Sequence, residues 1–293
     1  MDKIGVIGGG AWGTSLAMLV RRTGRAVTLW AREAEVVAMI NGEHRNEAFL
    51  PGVELDPALR ATADPMEAIA GADAVIVAAP AQYLRSTLAF LAGEWRAGVP
   101  VVLCAKGIER QTGAVMSEVA EATLPQAPLA ILSGPSFAAE VARNLPTAVV
   151  LAAAEPALRA TFPAVLATPH FRIYVSDDVI GAEIGGAVKN VLAIACGIVH
   201  GRGMGDNARA ALVTRGLAET VRLATAKGAR PETLMGLSGI GDLVLTCTAM
   251  LSRNYSLGVA LGEGAPLAAI ISARSSVAEG VESAAAVCAL ARR

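Results

Sequence analysis

Two lysines stand in surroundings where a lysine is costly. Lys189 lies in Ile184-Gly-Gly-Ala-Val-Lys-Asn-Val-Leu-Ala-Ile-Ala195, a helix-length stretch with no other charge. Burying an ammonium lowers its pKa toward the range useful for proton transfer. Gly185 and Gly186 cost about 1 kcal/mol each relative to alanine in a helix, yet permit close approach of a strand or a bound molecule. The competing reading is a snorkelling lysine on a partly exposed helix. Lys106 directly follows the apolar run Val101–Ala105, where a strand end aims it outward as a candidate site cation or leaves it merely solvated. Only His44, His170 and His200 are available as histidines, so Lys189 is the leading proton-transfer candidate. Further on, Asp242 in Gly-Asp-Leu-Val-Leu-Thr246 is placed to hold Lys189 or share its proton. Arg253 in Ser252-Arg-Asn254 offers a planar fork suited to a phosphate. Ser252 equally reads as a helix cap, with Arg253 and Asn254 on a solvated first turn. Gly134 and Ser136 in Ser-Gly-Pro-Ser supply a backbone donor and a hydroxyl, or an ordinary turn into a helix.

A second constellation opens the chain. Lys3-Ile-Gly-Val-Ile7 runs into Gly8-Gly-Gly-Ala-Trp-Gly13, which is G-x-G-x-x-G at Gly8, Gly10 and Gly13. After a strand and before a helix, this pattern gives a tight turn, room for a pyrophosphate and close helix–strand packing. The phosphates rest on the helix N-terminus, where free N–H groups and the dipole favour negative charge. The next strand ends in Trp30-Ala-Arg-Glu33, where a ribose reader belongs. Arg32 there suits the 2′-phosphate of NADP(H), which is favoured; a solvated Arg32 with Glu33 on the hydroxyls leaves NAD(H) possible.

These residues need elements to position them. Strands are expected at Lys3–Ile7, Ala26–Trp30, Ala74–Ala79, Val101–Ala105, Leu129–Leu132, Thr147–Ala152 and Phe171–Val175, with helical segments such as Thr14–Arg22 and Met66–Ala70 between them. Such alternation argues for an α/β fold with a doubly wound sheet, parallel in at least its first strands. Beyond about Asp178 the β-branched runs stop, and Glu183–Val199, Asn207–Lys227 and Tyr255–Leu261 read as helices. The expected organisation is a Rossmann-type domain, residues 1–180, followed by an all-α domain, residues 181–293. Gly201-Arg-Gly-Met-Gly205 follows a helix, so it reads as a turn and no phosphate loop.

Composition removes several function classes. The chain of 293 residues is 54% hydrophobic and 17% charged, with a net charge of −1 and no basic run beyond two arginines. It therefore carries no electrostatic footprint for nucleic acid or anionic lipid. The uncharged stretch 4–20 is interrupted by five glycines and 122–139 by three prolines, unlike a spanning helix of about 20 apolar residues. No membrane insertion is expected. Cys104, Cys196, Cys247 and Cys288 show no paired spacing, which argues against zinc or a disulfide framework and for reduced cytosolic thiols. No metal site is expected.

Taken in order, Gly-Gly-Gly-Ala-Trp-Gly-Thr, Ala-Lys-Gly-Ile-Glu, Leu-Ser-Gly-Pro-Ser-Phe-Ala, Gly-Gly-Ala-Val-Lys-Asn-Val, Gly-Asp-Leu-Val-Leu-Thr-Cys-Thr and Ser-Arg-Asn resemble the signatures of bacterial-type glycerol-3-phosphate dehydrogenases. The resemblance runs from Lys3 to about Glu282. It implies NAD(P)-dependent interconversion of dihydroxyacetone phosphate and sn-glycerol 3-phosphate, a supply of glycerol phosphate for phospholipids, a cytoplasmic location and a homodimer. It implies Lys189 as proton donor and acceptor, with Lys106, Gly134, Ser136, Asp242, Ser252, Arg253 and Asn254 around glycerol phosphate. Ala11, Trp12, Arg32, Lys106, Ala138, Arg253, Val277 and Glu279 are implied at the cofactor, and Asn190 and Thr246 in catalysis. Two rivals remain. A 3-hydroxyacid or 6-phosphogluconate-type dehydrogenase typically has an asparagine four residues after its lysine, where this chain has Ala193. The other is a nucleotide-binding protein with little turnover. The chain departs from the family after Val277-Ala-Glu-Gly280, where a Pro-Ile-containing stretch and further helices are usual. An early end is expected to leave the Ala-rich helix Ser283–Leu290 seeking a partner surface, in a homodimer or at a cost in stability.

The ribose position yields a test. Arg32→Asp is expected to reverse a preference for NADPH over NADH, since a carboxylate then faces the 2′-phosphate. An unchanged ratio of kcat/KM for the two cofactors would show that Arg32 does not touch it.

Overall fold

A computed structural model describes residues 1–273 and 278–292. Eight strands form one sheet: β1 Lys3–Ile7, β2 Ala26–Trp30, β3 Arg60–Thr62, β4 Ala74–Val77, β5 Val101–Leu103, β6 Leu129–Ser133, β7 Thr147–Ala152 and β8 Phe171–Ser176. Their order is β3-β2-β1-β4-β5-β6-β7-β8. All neighbours are parallel except β6 and β7. Alternation sorts side chains between two covered faces. Ile4 and Val6 enter one core with Ala74 and Ile76, while Ile7 enters the other with Val75 and Val77. Strands buried on both faces read as continuous apolar runs, which is why most of them stand out in the sequence.

Differences from the sequence reading are local. β3 is a three-residue edge strand, Arg-Ala-Thr, too short and too mixed to announce itself. The apolar run at Ala74 leaves the sheet after Val77, so Ala78 and Ala79 belong to the loop. Likewise β5 ends at Leu103.

The antiparallel step has a consequence for the site. β7 and β8 run opposite to β6, so the chain leaves β8 at the edge of the sheet opposite the carboxyl ends of β1, β4, β5 and β6. Helix α2, Val179–Gly201, then starts near that edge (helix α1 being Ala11–Arg22 after the glycine loop). Ten residues of helix rise about 15 Å, close to the length of a five-residue strand. Lys189 thereby reaches the level of the strand ends. The foot of α2 is pinned: Asp178 accepts from Gly181 N and from Arg230 N, both at 2.9 Å. One turn on, buried Glu183 accepts from Ser117 N at 2.7 Å and Ser117 Oγ at 2.6 Å, and burial raises its carboxyl to about 7.

Helices α3 Asp206–Ala226, α4 Asp242–Thr248, α5 Arg253–Gly262 and α6 Glu279–Ala291 gather around α2. α2 is long and apolar enough to cross a membrane by composition, and 67% of its most apolar window is buried inside the protein. The contact with α5 is backbone to backbone. A Cβ on Gly197 would lie 2.2 Å from Tyr255 O, and one on Gly258 2.1 Å from Ile194 O.

The C-terminal helix packs one face on its own chain: Ser283 and Ala286 are buried, and Val287 and Leu290 pack on the Ile184–Ala187 cluster of α2, while Ala285, Cys288 and Ala289 are exposed. Small residues let α6 lie close, with Gly280 against Asn190 O. The cysteines, distant in sequence, are not all distant in space, since Cys196 and Cys247 share one buried cluster.

The glycine seam is testable. Gly258→Ala gains about 1 kcal/mol of helix propensity, but its methyl would collide with backbone that cannot yield. Overpacking of this kind costs about 1–3 kcal/mol and here exceeds the propensity gain, because the helices must separate. The thermal midpoint is expected to fall by several degrees; an unchanged or raised midpoint would mean that the seam is looser than described.

Candidate active site

β1 delivers the chain to Gly8 at φ +121°, a conformation that a side chain resists, and a Cβ there would press on Ala78 O at 3.0 Å. A Cβ on Gly13 would fall 1.8 Å from Gly8 O, so helix α1 can approach the strand only as glycine. Nothing lies within 4 Å of the Cβ direction of Gly10. Gly10 caps α1 without any side chain, so no side-chain cap takes the first-turn N–H groups. This cradle fits a pyrophosphate. Ala11 and Trp12 begin the helix and are half-buried. Ala138 starts the short helix Ala138–Ala142, and its carbonyl accepts from Ser15 Oγ of α1 at 2.8 Å. Arg32 is exposed at the end of β2 and pairs with Glu33 at 2.7 Å. The cation and the acidic residue thus stand side by side at the ribose position.

Two strands away on the same edge lies the most heavily charged buried cluster of the site. Lys189 Nζ donates to Asp242 Oδ1 at 2.5 Å and to Thr246 Oγ1 at 2.9 Å. Lys106 Nζ donates to Asp242 Oδ2 at 2.8 Å and to Gly134 O at 2.9 Å. Asp242 is 0% exposed and Lys189 only 8%, which overturns the snorkelling alternative. Burial drives the Lys189 ammonium down to about 8, against the pull of Asp242 and with the push of Lys106. A five-residue π-helical turn, Leu237–Gly241, feeds Asp242 into α4, and Ser238 O within it packs against Gly185. Asp242 and Thr246 then share a face one turn apart.

A line of amides extends from this cluster. Asn190 Nδ2 donates to Lys106 O at 3.1 Å, Asn254 Nδ2 donates to Asn190 Oδ1 at 3.0 Å, and Gly280 N donates to Asn254 Oδ1 at 3.0 Å. Asn254 is therefore buried in this line, not on a solvated turn. Ser252 is the N-cap of α5, its hydroxyl accepting from Tyr255 N at 3.2 Å. Arg253 is exposed at the first turn. Ser136 Oγ donates to Gly134 O at 3.0 Å, so hydroxyl and lysine converge on one carbonyl. Gly134, at φ +134°, packs against the backbone of Val149, where a Cβ would stand at 3.0 Å. Glu279 heads α6 and accepts from Ala81 N at 3.3 Å; burial raises its carboxyl above the ordinary range. Val277 lies outside the described residues.

The family is decided by comparison. The N-terminal profile of NAD-dependent glycerol-3-phosphate dehydrogenase matches residues 3–159, and its C-terminal profile residues 178–293. This chain belongs to the NAD-dependent glycerol-3-phosphate dehydrogenase family. A glycerol-3-phosphate dehydrogenase [NAD(P)+] of Rhodospirillum rubrum is 62% identical over 100% of this chain and 84% of its own length. That of Caulobacter vibrioides is 56% identical over 100% of this chain and 88% of its own. The crystal structure of glycerol-3-phosphate dehydrogenase from Coxiella burnetii superposes with a TM-score of 0.96 at 39% identity, covering 99% of this chain and 89% of that one. In this glycerol-3-phosphate dehydrogenase, the Lys106–Asp242–Lys189 cluster and the glycine cradle sit on one edge of the sheet. Ala193, where the hydroxyacid rival needs an asparagine, is buried against Cys196 and Leu243.

Two supports escaped the sequence reading. Asn46, 0% exposed, donates to Gly9 O and to Thr14 Oγ1 beneath the glycine loop. Gly9 itself has no room for a side chain, since a Cβ would lie 2.3 Å from that of Ala31. The triple glycine signals the second, whereas nothing local signals the first. A separate hollow of about 240 Å³ lined by His200, Gly203, Gly205, Asp206 and Arg209 opens at the far end of α2 and holds none of the site lysines. Among the described residues no three His, Cys, Asp or Glu side chains gather as a metal site.

With Lys189 as the expected proton donor and acceptor, its lowered pKa gives a pH dependence to test. Its ammonium is present below about 8 and lost as pH rises through that value. Carbonyl reduction, which needs the proton, should therefore fall above it, while alcohol oxidation, which needs the free amine, should rise through it. Rates in both directions from neutral to alkaline pH check this; parallel profiles would show that another group titrates.

Proposed function

We propose that Lys189 is the proton donor and acceptor in NAD(P)H-dependent reduction of dihydroxyacetone phosphate to sn-glycerol 3-phosphate, a reversible reaction that supplies glycerol phosphate for phospholipid synthesis. The observation that carries this is one buried carboxylate, Asp242, holding two lysines at the carboxyl edge of the sheet. When bound, the dinucleotide supplies the hydride to the carbonyl carbon or takes it back. Gly8, Gly10 and Gly13 form its phosphate cradle, with Ala11, Trp12, Ala138 and Glu279 beside it. Arg32 favours NADP(H), while Glu33 next to it keeps NAD(H) usable.

The chain's own groups do the rest. Lys189 donates its proton to the substrate carbonyl oxygen, and its pKa near 8 matches an acid that must also be regenerated. Lys106 adds a second positive charge beside that oxygen, where a low-dielectric surrounding strengthens it. Asp242 and Thr246 aim Lys189, and Asn190 fixes the backbone carrying Lys106. Arg253 grips the phosphate, with Ser136, Gly134, Ser252 and Asn254 shaping that end of the site. The division into domains at residues 180 and 181 rests on the end of the β-branched runs near Asp178, the cytosolic location on cysteines without paired spacing, and the homodimer on the family resemblance.

Oxidation of NADPH or NADH followed by loss of the reduced-nicotinamide absorbance, with dihydroxyacetone phosphate, tests the activity and separates it from a binding protein of little turnover. Arg253→Ala is expected to lower kcat/KM for dihydroxyacetone phosphate by roughly tenfold or more, the cost of a charge-assisted bond. Unphosphorylated dihydroxyacetone, a poor substrate, should be little affected. Equal losses for both would reject the phosphate role.

A further inference from the structure

The peptide joining Gly9 to Gly10 in the dinucleotide loop has a glycine on each side. Between two glycines the carbonyl and N–H can exchange directions at little steric cost. The direction matters for binding, because an N–H facing a phosphate is a charge-assisted donor and a carbonyl in its place repels. Something other than the glycines must choose.

In the structure the Gly9 carbonyl faces inward. Asn46 Nδ2 donates to it at 2.9 Å, and Thr14 Oγ1 donates at 3.3 Å. Asn46 Nδ2 also donates to Thr14 Oγ1 at 2.8 Å, closing a three-membered network. The chain has no cis peptide among the described residues, so a carbonyl held inward leaves the Gly10 N–H on the other side. That side is the open space above Gly10. Asn46 comes from the segment after helix Ala34–Glu43, and Leu50, Val53 and Leu55 anchor that segment in the core. Its Oδ1 has no protein partner, so the two bonds from Nδ2 are what hold the amide. Turning the amide over would set Oδ1 against the Gly9 carbonyl, acceptor to acceptor.

We propose that Asn46 is a positioning residue of the cofactor site: its buried amide locks the Gly9–Gly10 peptide with the N–H outward, toward the pyrophosphate. The inference rests on the dinucleotide reading of the loop. Asn46 touches neither the ribose position nor the Lys106–Asp242–Lys189 cluster, so its effect falls on the part shared by NADPH and NADH.

Asn46→Asp is nearly isosteric and replaces the donor with an acceptor. In this variant the Kd of NADPH and of NADH should each rise by roughly tenfold or more. Their ratio should stay as in the unaltered protein. At saturating cofactor kcat should recover, with KM for dihydroxyacetone phosphate unmoved, a split that general loosening of the fold does not produce. Asn46→Leu, which removes the donor and fills the space, should show the same pattern. Should both variants fail to fold, Thr14→Val keeps the volume and removes one leg of the network, and a few-fold weakening of both cofactors is expected. Wild-type affinities in a folded variant, or equal losses in cofactor and substrate parameters, would overturn the proposal. Failure of the unaltered protein to bind either dinucleotide would reject the loop reading beneath it.

Discussion

One carboxylate balanced against two ammonium groups is the constraint on which the remainder depends. Asp242 gives one oxygen to Lys106 and the other to Lys189, both inside the protein. Removing three charges from water is costly, and attraction recovers that cost only where geometry is tight and the remaining donors are satisfied. Gly134 O and Thr246 Oγ1 provide those partners. The cluster also joins three pieces of chain, namely the loop after β5, helix α2 and helix α4. One negative and two positive charges leave an excess of one positive. In the proposed reaction, an anionic substrate or an oxygen gaining charge would complete the balance.

The surrounding helices hold this balance by contact of backbones more than of side chains. Glycines on α2 and α5 let the helices meet where any methyl would collide. Their closeness brings Asn254 to Asn190, and Gly280 lets α6 close over both. Hydrogen bonds then run from the C-terminal helix to the backbone of Lys106 without a gap. In such a line each member holds its neighbour, so order at the site is a property of the packed whole.

Much of this was legible because a buried charge and a glycine loop are local statements. Lys189 announces itself by being the only charge in its stretch, and the central strands by being apolar on both faces. Of the cluster, only the contact of Asp242 with Lys189 was expected; that Lys106 shares the same carboxylate and Thr246 the same ammonium was not. What stayed hidden depends on contacts between distant segments. β3 exists because β2 offers an edge, and Asn46 matters because its segment folds back 37 residues beneath Gly9. The C-terminal helix was expected to seek a partner surface because the family's further helices do not follow it, yet one face of its alanines and serine packs within the chain. Their small size is what admits them to the surface of α2. Ser252 was read as cap or ligand, and its hydroxyl is engaged as a cap.

The reversal of β7 and β8 makes α2 a lever whose foot and working end lie on opposite sides of the sheet. Lys189 is about 15 Å from the foot at Val179. A tilt of about five degrees there carries the amine sideways by about 1 Å, a displacement that can cost a hundredfold in rate. In the reaction proposed for Lys189, the accuracy of the proton transfer would be set partly at Asp178 and Glu183, which clamp the foot to Gly181, Arg230 and Ser117. These carboxylates bond only protein groups in the foot region. Their stiffness reaches the chemistry as angular precision, so the distal edge of the sheet works as the fulcrum of the site.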